Sequence, residues 1–117
     1  MGAPYGSLEV TEGLSQVYHV GDQIDMTNVK FKAVCDENGK TEIINASDYE
    51  IIYLINDNNF DDVVEVGKLY VIGFDTSKVD DDCTVQFTIL AYYEEHPDGS
   101  GATRSSYTGT FQYSVEA

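Results

Sequence analysis

Tyr18-His19-Val20-Gly21-Asp22-Gln23-Ile24-Asp25-Met26-Thr27-Asn28-Val29-Lys30-Phe31-Lys32-Ala33 decides the fold class, because it passes from one short extended segment through a Gly-Asp turn into another with no helical spacing. Gly21 supplies a backbone able to adopt positive φ, and Asp22, Asp25, Thr27 and Asn28 can each bond nearby main-chain groups across an irregular crossing. Beyond Asn28 the chain settles into period two. Val29, Phe31, Ala33 and Cys35 fall on one face and Lys30 and Lys32 on the other, as in a strand with one face on a core and one in water.

Working outward, strands are expected at Leu8 to Val10, Gln16 to Val20, Val29 to Cys35, Thr41 to Ile44, Tyr49 to Ile55, Lys68 to Phe74, Thr84 to Tyr93 and Ser105 to Val115. Val, Ile, Thr and Tyr recur in these short runs, and Gly, Asn and Asp separate them. Asp36-Glu37-Asn38-Gly39 predicts a hairpin with Asn-Gly at positive φ. His96-Pro97-Asp98-Gly99-Ser100-Gly101 predicts a second, longer one. Asp75 to Asp82 has room for one short helical turn. Phe31, Ala33, Ile52, Leu54, Val85, Phe87, Ile89, Phe111 and Tyr113 are the expected core, although Ile51 to Ile55 is apolar throughout and leaves its inward face open.

The opening stretch resembles the bacterial immunoglobulin-like domains of group 3, through Tyr18, Gly21, Asp22, Ile24, Asp25, Thr27, Asn28, Val29 and Phe31. Gly73-Phe74-Asp75-Thr76-Ser77-Lys78-Val79, the strand Thr84 to Ile89 and the closing strand Thr110 to Val115 extend the likeness over residues 15 to 116. Two departures stand out: Asn56 to Leu69 looks like extra chain, and Asp80, Asp81 and Asp82 replace the usual Gly after Ser-Lys-Val. The resemblance implies an all-β, immunoglobulin-like β-sandwich of about seven strands from a surface or secreted multidomain protein. Residues 1–7 then read as an appended start or interdomain linker and 8–117 as one domain, with the export signal elsewhere in a longer protein.

A chain of 117 residues is the size of one domain. Its formal charge of −15 repels phosphate backbones and anionic lipid headgroups, which argues against nucleic-acid partners. No apolar run approaches the ~20 residues of a membrane-spanning helix, so no direct membrane insertion is expected. In an immunoglobulin-like sandwich Cys35 would end the second strand and Cys83 begin the sixth. The two sulfurs would then lie roughly 20 Å apart along the strands, so two reduced thiols are expected.

Candidate sites are few. Asp57, Asp61 and Asp62, and separately Asp75, Asp80, Asp81 and Asp82, offer oxygen donors for a weak calcium site, but neither group has EF-hand spacing, and no cofactor is expected. Tyr92 faces outward if Val85, Phe87, Ile89 and Ala91 face inward. Tyr107 shares parity with Phe111 and Tyr113, so its exposure requires a bulge near Gly109. Exposed tyrosines can stack sugar rings or bind protein, or simply pair across strands. His19 and His96 lie in turns, and no nucleophile signature is present. The chain is therefore expected to be a non-catalytic spacer or adhesion unit beside neighbouring domains, with a protein or glycan as possible ligand. The alternative is a carbohydrate-binding accessory module of an exported polysaccharide-degrading enzyme.

Overall fold

A computed structural model describes residues 6–36, 38–55, 65–100 and 102–117, with the backbone alone at 91–93, 95 and 102–105. The chain is all-β. Its strands are β1 (Gly6–Glu12), β2 (Val17–His19), β3 (Lys30–Cys35), β4 (Thr41–Asn45), β5 (Glu50–Leu54), β6 (Lys68–Ile72), β7 (Asp80–Glu95) and β8 (Ala102–Glu116). Gly6 and Ser7, which the sequence places in a linker, belong to β1, where they face Cys35 and Val34 of β3. The one helical turn among the described residues is 3-10, at Ala46–Asp48. Asp75 to Asp82 holds none, because Asp80, Asp81 and Asp82 already open β7. No helix among the described residues is long and apolar enough to cross a membrane.

All eight strands belong to one hydrogen-bonded mixed sheet, ordered β4-β3-β1-β8-β7-β6-β5 with β2 also on β8. β1 and β2 run parallel to β8, and β5 runs parallel to β6, while the other pairs are antiparallel. The seven strands of that path, laid flat, would span ~29 Å at ~4.8 Å per step. Residues 46–49 alone join β4 to β5, however, and they reach at most ~17 Å. The sheet therefore curls until its two edges approach each other at the 3-10 turn. Phe31 of β3 and Phe87 of β7 stand three strand steps apart in the sheet, yet their ring centroids are 5.1 Å apart, edge to face.

The concave side holds the core. Phe31, Ala33, Val85, Phe87, Ile89 and Tyr113 are buried there as expected, and Phe111 packs partly buried against them. Ile52 and Leu54, expected in the core although the run left its inward face open, are not in it. Ile51 packs on the core instead, while Ile52 and Leu54 stand in register with Tyr70 and Ile72 on the opposite face. Tyr70, Ile72, Thr88 and Leu90 are buried on that outer face, a second apolar layer that the uniform Ile-Ile-Tyr-Leu-Ile run cannot announce. Where β8 crosses β1, a Cβ on Gly109 would lie 1.8 Å from the Leu8 carbonyl oxygen, so only glycine allows that approach.

The expected hairpins form. Between β3 and β4, Gly39 donates to the Cys35 carbonyl at 2.8 Å with φ +68°, and Asn38 accepts the Lys40 amide through its side chain. The turn is thus a four-residue loop with one left-handed glycine, not the two-residue Asn-Gly turn. Cys35 and Cys83 are free thiols. Through Gly6, Cys35 is level with Tyr107 of β8, and Cys83 is level with Tyr113, six residues along the same strand. That offset is ~20 Å, beyond disulfide reach.

Candidate functional site

The two stretches that carried the family likeness meet at one end of the curled sheet. Gly21, at φ +91°, donates its amide to the Thr76 carbonyl at 3.0 Å, and the Thr76 hydroxyl donates to the Asp22 carbonyl at 2.6 Å. Asp22 in turn accepts the His19 amide at 2.8 Å, and Asp75 accepts the Ser77 amide at 2.8 Å. Beneath these loops Tyr18 meets Phe74 and Tyr113 edge-on, at 5.1 and 5.7 Å between centroids. The side chains of Asp22, Asp75 and Thr76 are therefore bound to backbone, and their apolar neighbours form a floor.

Above that floor opens a cleft of about 560 Å³, walled by Gly21 to Ile24, Phe74 to Ser77 and Tyr53. Tyr53 is 57% exposed, so its ring is a wall and not part of the packing. Thr76 is the buried polar residue at its base, and both of its polar contacts lie within the loops. Hydrogen bonds from the Ser77 hydroxyl and amide hold the Asp75 carboxyl below its ordinary value of 3.8, so it is ionised at neutral pH. A second hollow of about 280 Å³ shares Ile24 and Tyr53 with the first and continues past Asp25, Met26 and Ile51 to Ala46. The sequence shows a turn at Gly21 and Asp22 but gives no sign of Tyr53, whose alternation is hidden in the apolar run of 51–55.

The two tyrosines singled out from the sequence fare differently. Tyr92 lies on β7, but the ladder shifts register between Leu90 and Tyr92, so the alternation that turned it outward is broken one residue before it. Its side chain lies outside the described residues. Tyr107 is half-buried, with β8 continuous through Gly109 opposite Phe87 and no bulge there to turn it out. It stands between two hollows, one lined by Glu42, Ile44 and Tyr49 and the other by Asn38, Lys40 and Thr41. Burial first, then the Cys35 thiol and the Glu42 and Asp36 carboxylates, raise its hydroxyl pKa above 10.0.

Of the two acidic groups one is described, and its Asp75, Asp80 and Asp82 line a common hollow together with Lys78. Asp57, Asp61 and Asp62 lie outside the described residues. Asp80 accepts the Asp82 amide at 3.0 Å, as Asp75 does that of Ser77, and among the described residues no three His, Cys, Asp or Glu side chains form a metal-holding group. A Ser-His contact is present at the β7–β8 hairpin tip, where His96 Nδ1 and Ser100 Oγ are 3.0 Å apart. Neither residue lines the cleft. His19, 63% exposed at its side chain, faces Asp22 and Glu116 at 3.8 and 3.9 Å.

Comparison with protein-family models, with curated proteins and with solved structures finds no match to this chain. The likeness to group 3 bacterial immunoglobulin-like domains rests on the residues quoted for it.

Proposed function

We propose that the chain is a non-catalytic immunoglobulin-like module of a secreted or cell-surface bacterial protein, a spacer between neighbouring domains or an adhesive unit. In such a module β4-β3-β1 would form one layer of a sandwich and β8-β7-β6-β5 the other. The contact of Phe31 with Phe87 across the core supports that division. The observation that carries the spacer role is the parallel course of β1 along β8. Gly6 lies level with Tyr107, and β8 runs nine residues further to Glu116, so the first and last strand residues stand ~30 Å apart. A module entered at one end and left at the other separates its neighbours.

The alternative, a carbohydrate-binding accessory module of an exported polysaccharide-degrading enzyme, is favoured by one observation. Tyr53 stands exposed at the cleft beside Asp22 and Asp75, an aromatic face flanked by acceptors for sugar hydroxyls. Small-angle scattering of two copies joined in tandem, with a glycan array on wild type and Tyr53→Ala, tests both. An extended tandem silent on the array supports the spacer, and sugar binding lost in Tyr53→Ala supports the alternative. Turnover of an ester, peptide or glycoside by the purified protein would sink both.

A further inference from the structure

β5 is an edge of the sheet, paired among the described residues with β6 alone. The Gly73 amide donates to the Leu54 carbonyl at 2.9 Å, so Leu54, and with it Ile52 and Glu50, turns its backbone groups toward β6. The alternate residues Ile51 and Tyr53 therefore turn their N–H and C=O groups away from β6, to the side where no described strand pairs with them. Ile55, 85% exposed, continues their parity. Such a row is a template for a further strand unless something covers it.

Beside this edge runs the channel made of the two hollows that share Ile24 and Tyr53. Its floor is apolar, with Ile24 and Met26 nearly buried and Ala46 fully so. Its rim is anionic: Asp22, Asp25 and Asp75 line it, and among the described residues no Lys, Arg or His does. The Thr27 hydroxyl and amide hold the Asp25 carboxyl low, as Ser77 does for Asp75, so both stay charged at neutral pH. A second copy of this chain would bring a further charge of −15 to that rim, which disfavours self-pairing.

We infer that the β5 edge and its channel take an extended, cationic segment of another protein, added as a strand against Ile51 and Tyr53 with basic side chains beside Asp22, Asp25 and Asp75. The inference rests on the adhesive half of the proposed function and names the partner's chemistry. Main-chain hydrogen bonds supply the register, and the carboxylates select the charge.

The probe is a fluorescein-labelled peptide of alternating lysine and valine, followed by anisotropy at low and high salt. Wild type should bind it and should not bind the glutamate-valine counterpart. Tyr53→Pro removes an outward N–H while leaving the β6 ladder intact, and it should weaken binding at least about tenfold. Because proline can also disturb the fold, wild type is tested in parallel with a peptide N-methylated on alternate residues, which should bind as poorly. Absence of binding overturns the proposal, as does binding indifferent to N-methylation, which marks general attraction to an acidic surface. Binding of a neutral glycan in the same channel, displaced by no peptide, overturns it too. A protein that ignores the peptide yet adheres to its native matrix through another face keeps the adhesive role and loses this site.

Discussion

The Tyr113 hydroxyl closes a two-way hydrogen bond on the backbone of Asp75, accepting its amide at 2.9 Å and donating to its carbonyl at 3.1 Å, across 38 positions of sequence. The ring is nearly buried and packs on Phe74 at 5.0 Å, so one side chain of the last strand fixes the loop that forms half the cleft. Its closeness to Tyr18 ties the same point to the opposite wall.

Tyr113→Phe should therefore cost ~1 to 3 kcal/mol, because it keeps the packing and leaves an amide and a carbonyl of Asp75 without their partner. Urea unfolding gives the loss, and hydrogen exchange at Asp75 should quicken more than at Val85. A change below about 0.5 kcal/mol would mean that water replaces the hydroxyl without penalty.

Gly109 and Gly21 should respond to alanine for different reasons. A methyl at Gly109 has nowhere to go against the Leu8 carbonyl, so Gly109→Ala should destabilise by at least ~3 kcal/mol or prevent folding. At Gly21 the space is open, with nothing within 4 Å, and only the positive φ resists a side chain. Gly21→Ala should cost ~1 to 2 kcal/mol. Equal losses in thermal unfolding would show that β1 and β8 do not cross as closely as the structure has them.

These residues also show what the sequence could convey. Lys30 to Cys35 alternates strictly, and its burial follows that alternation residue by residue, because one face of β3 meets water. β5 and the residue after it carry five successive apolar residues at 51–55, since the outer face lies over a second buried layer and the inner face lines a channel; periodicity cannot rank two apolar faces. Single-sheet connectivity was equally hidden, because the parallel pairing of β1 and β2 with β8 joins residues about a hundred positions apart. The cleft was half legible. Gly21-Asp22 and Asp75-Thr76-Ser77 announce turns, but nothing local says that one caps the other.

Phe87→Ala should cost ~3 to 5 kcal/mol, the loss expected when a fully buried aromatic leaves a cavity. Phe87 is 1% exposed and touches Phe31 edge to face, so the curl of the sheet loses its central contact. Phe111→Ala, at a partly buried position, should cost less. If chemical denaturation ranks Phe111 above Phe87, the core is centred elsewhere along β8.

Millimolar calcium should leave the melting temperature where a chelator leaves it. Asp75 and Asp80 each spend a carboxylate oxygen on a nearby amide, and a ligand present at its dissociation constant adds only ~0.4 kcal/mol. A rise of several degrees would reopen the acidic groups, Asp57, Asp61 and Asp62 included.

Acid should weaken the protein through three carboxyls of one kind. Asp25, Asp75 and Asp98 each accept bonds from the hydroxyl and then the amide two residues on, at Thr27, Ser77 and Ser100, and each is held below the ordinary 3.8. A carboxyl with lowered pKa in the folded state stabilises it at pH above the unfolded value, and that stability is lost as pH falls through the folded one. The urea midpoint should accordingly stay level through these groups from neutral pH to about 5 and decline below about 4. Asp75→Asn keeps an acceptor oxygen for the Ser77 amide but cannot titrate, so its midpoint should fall less steeply over that acid range than that of wild type. Parallel acid limbs for the two proteins would show that the Asp75 turn contributes nothing to the pH dependence.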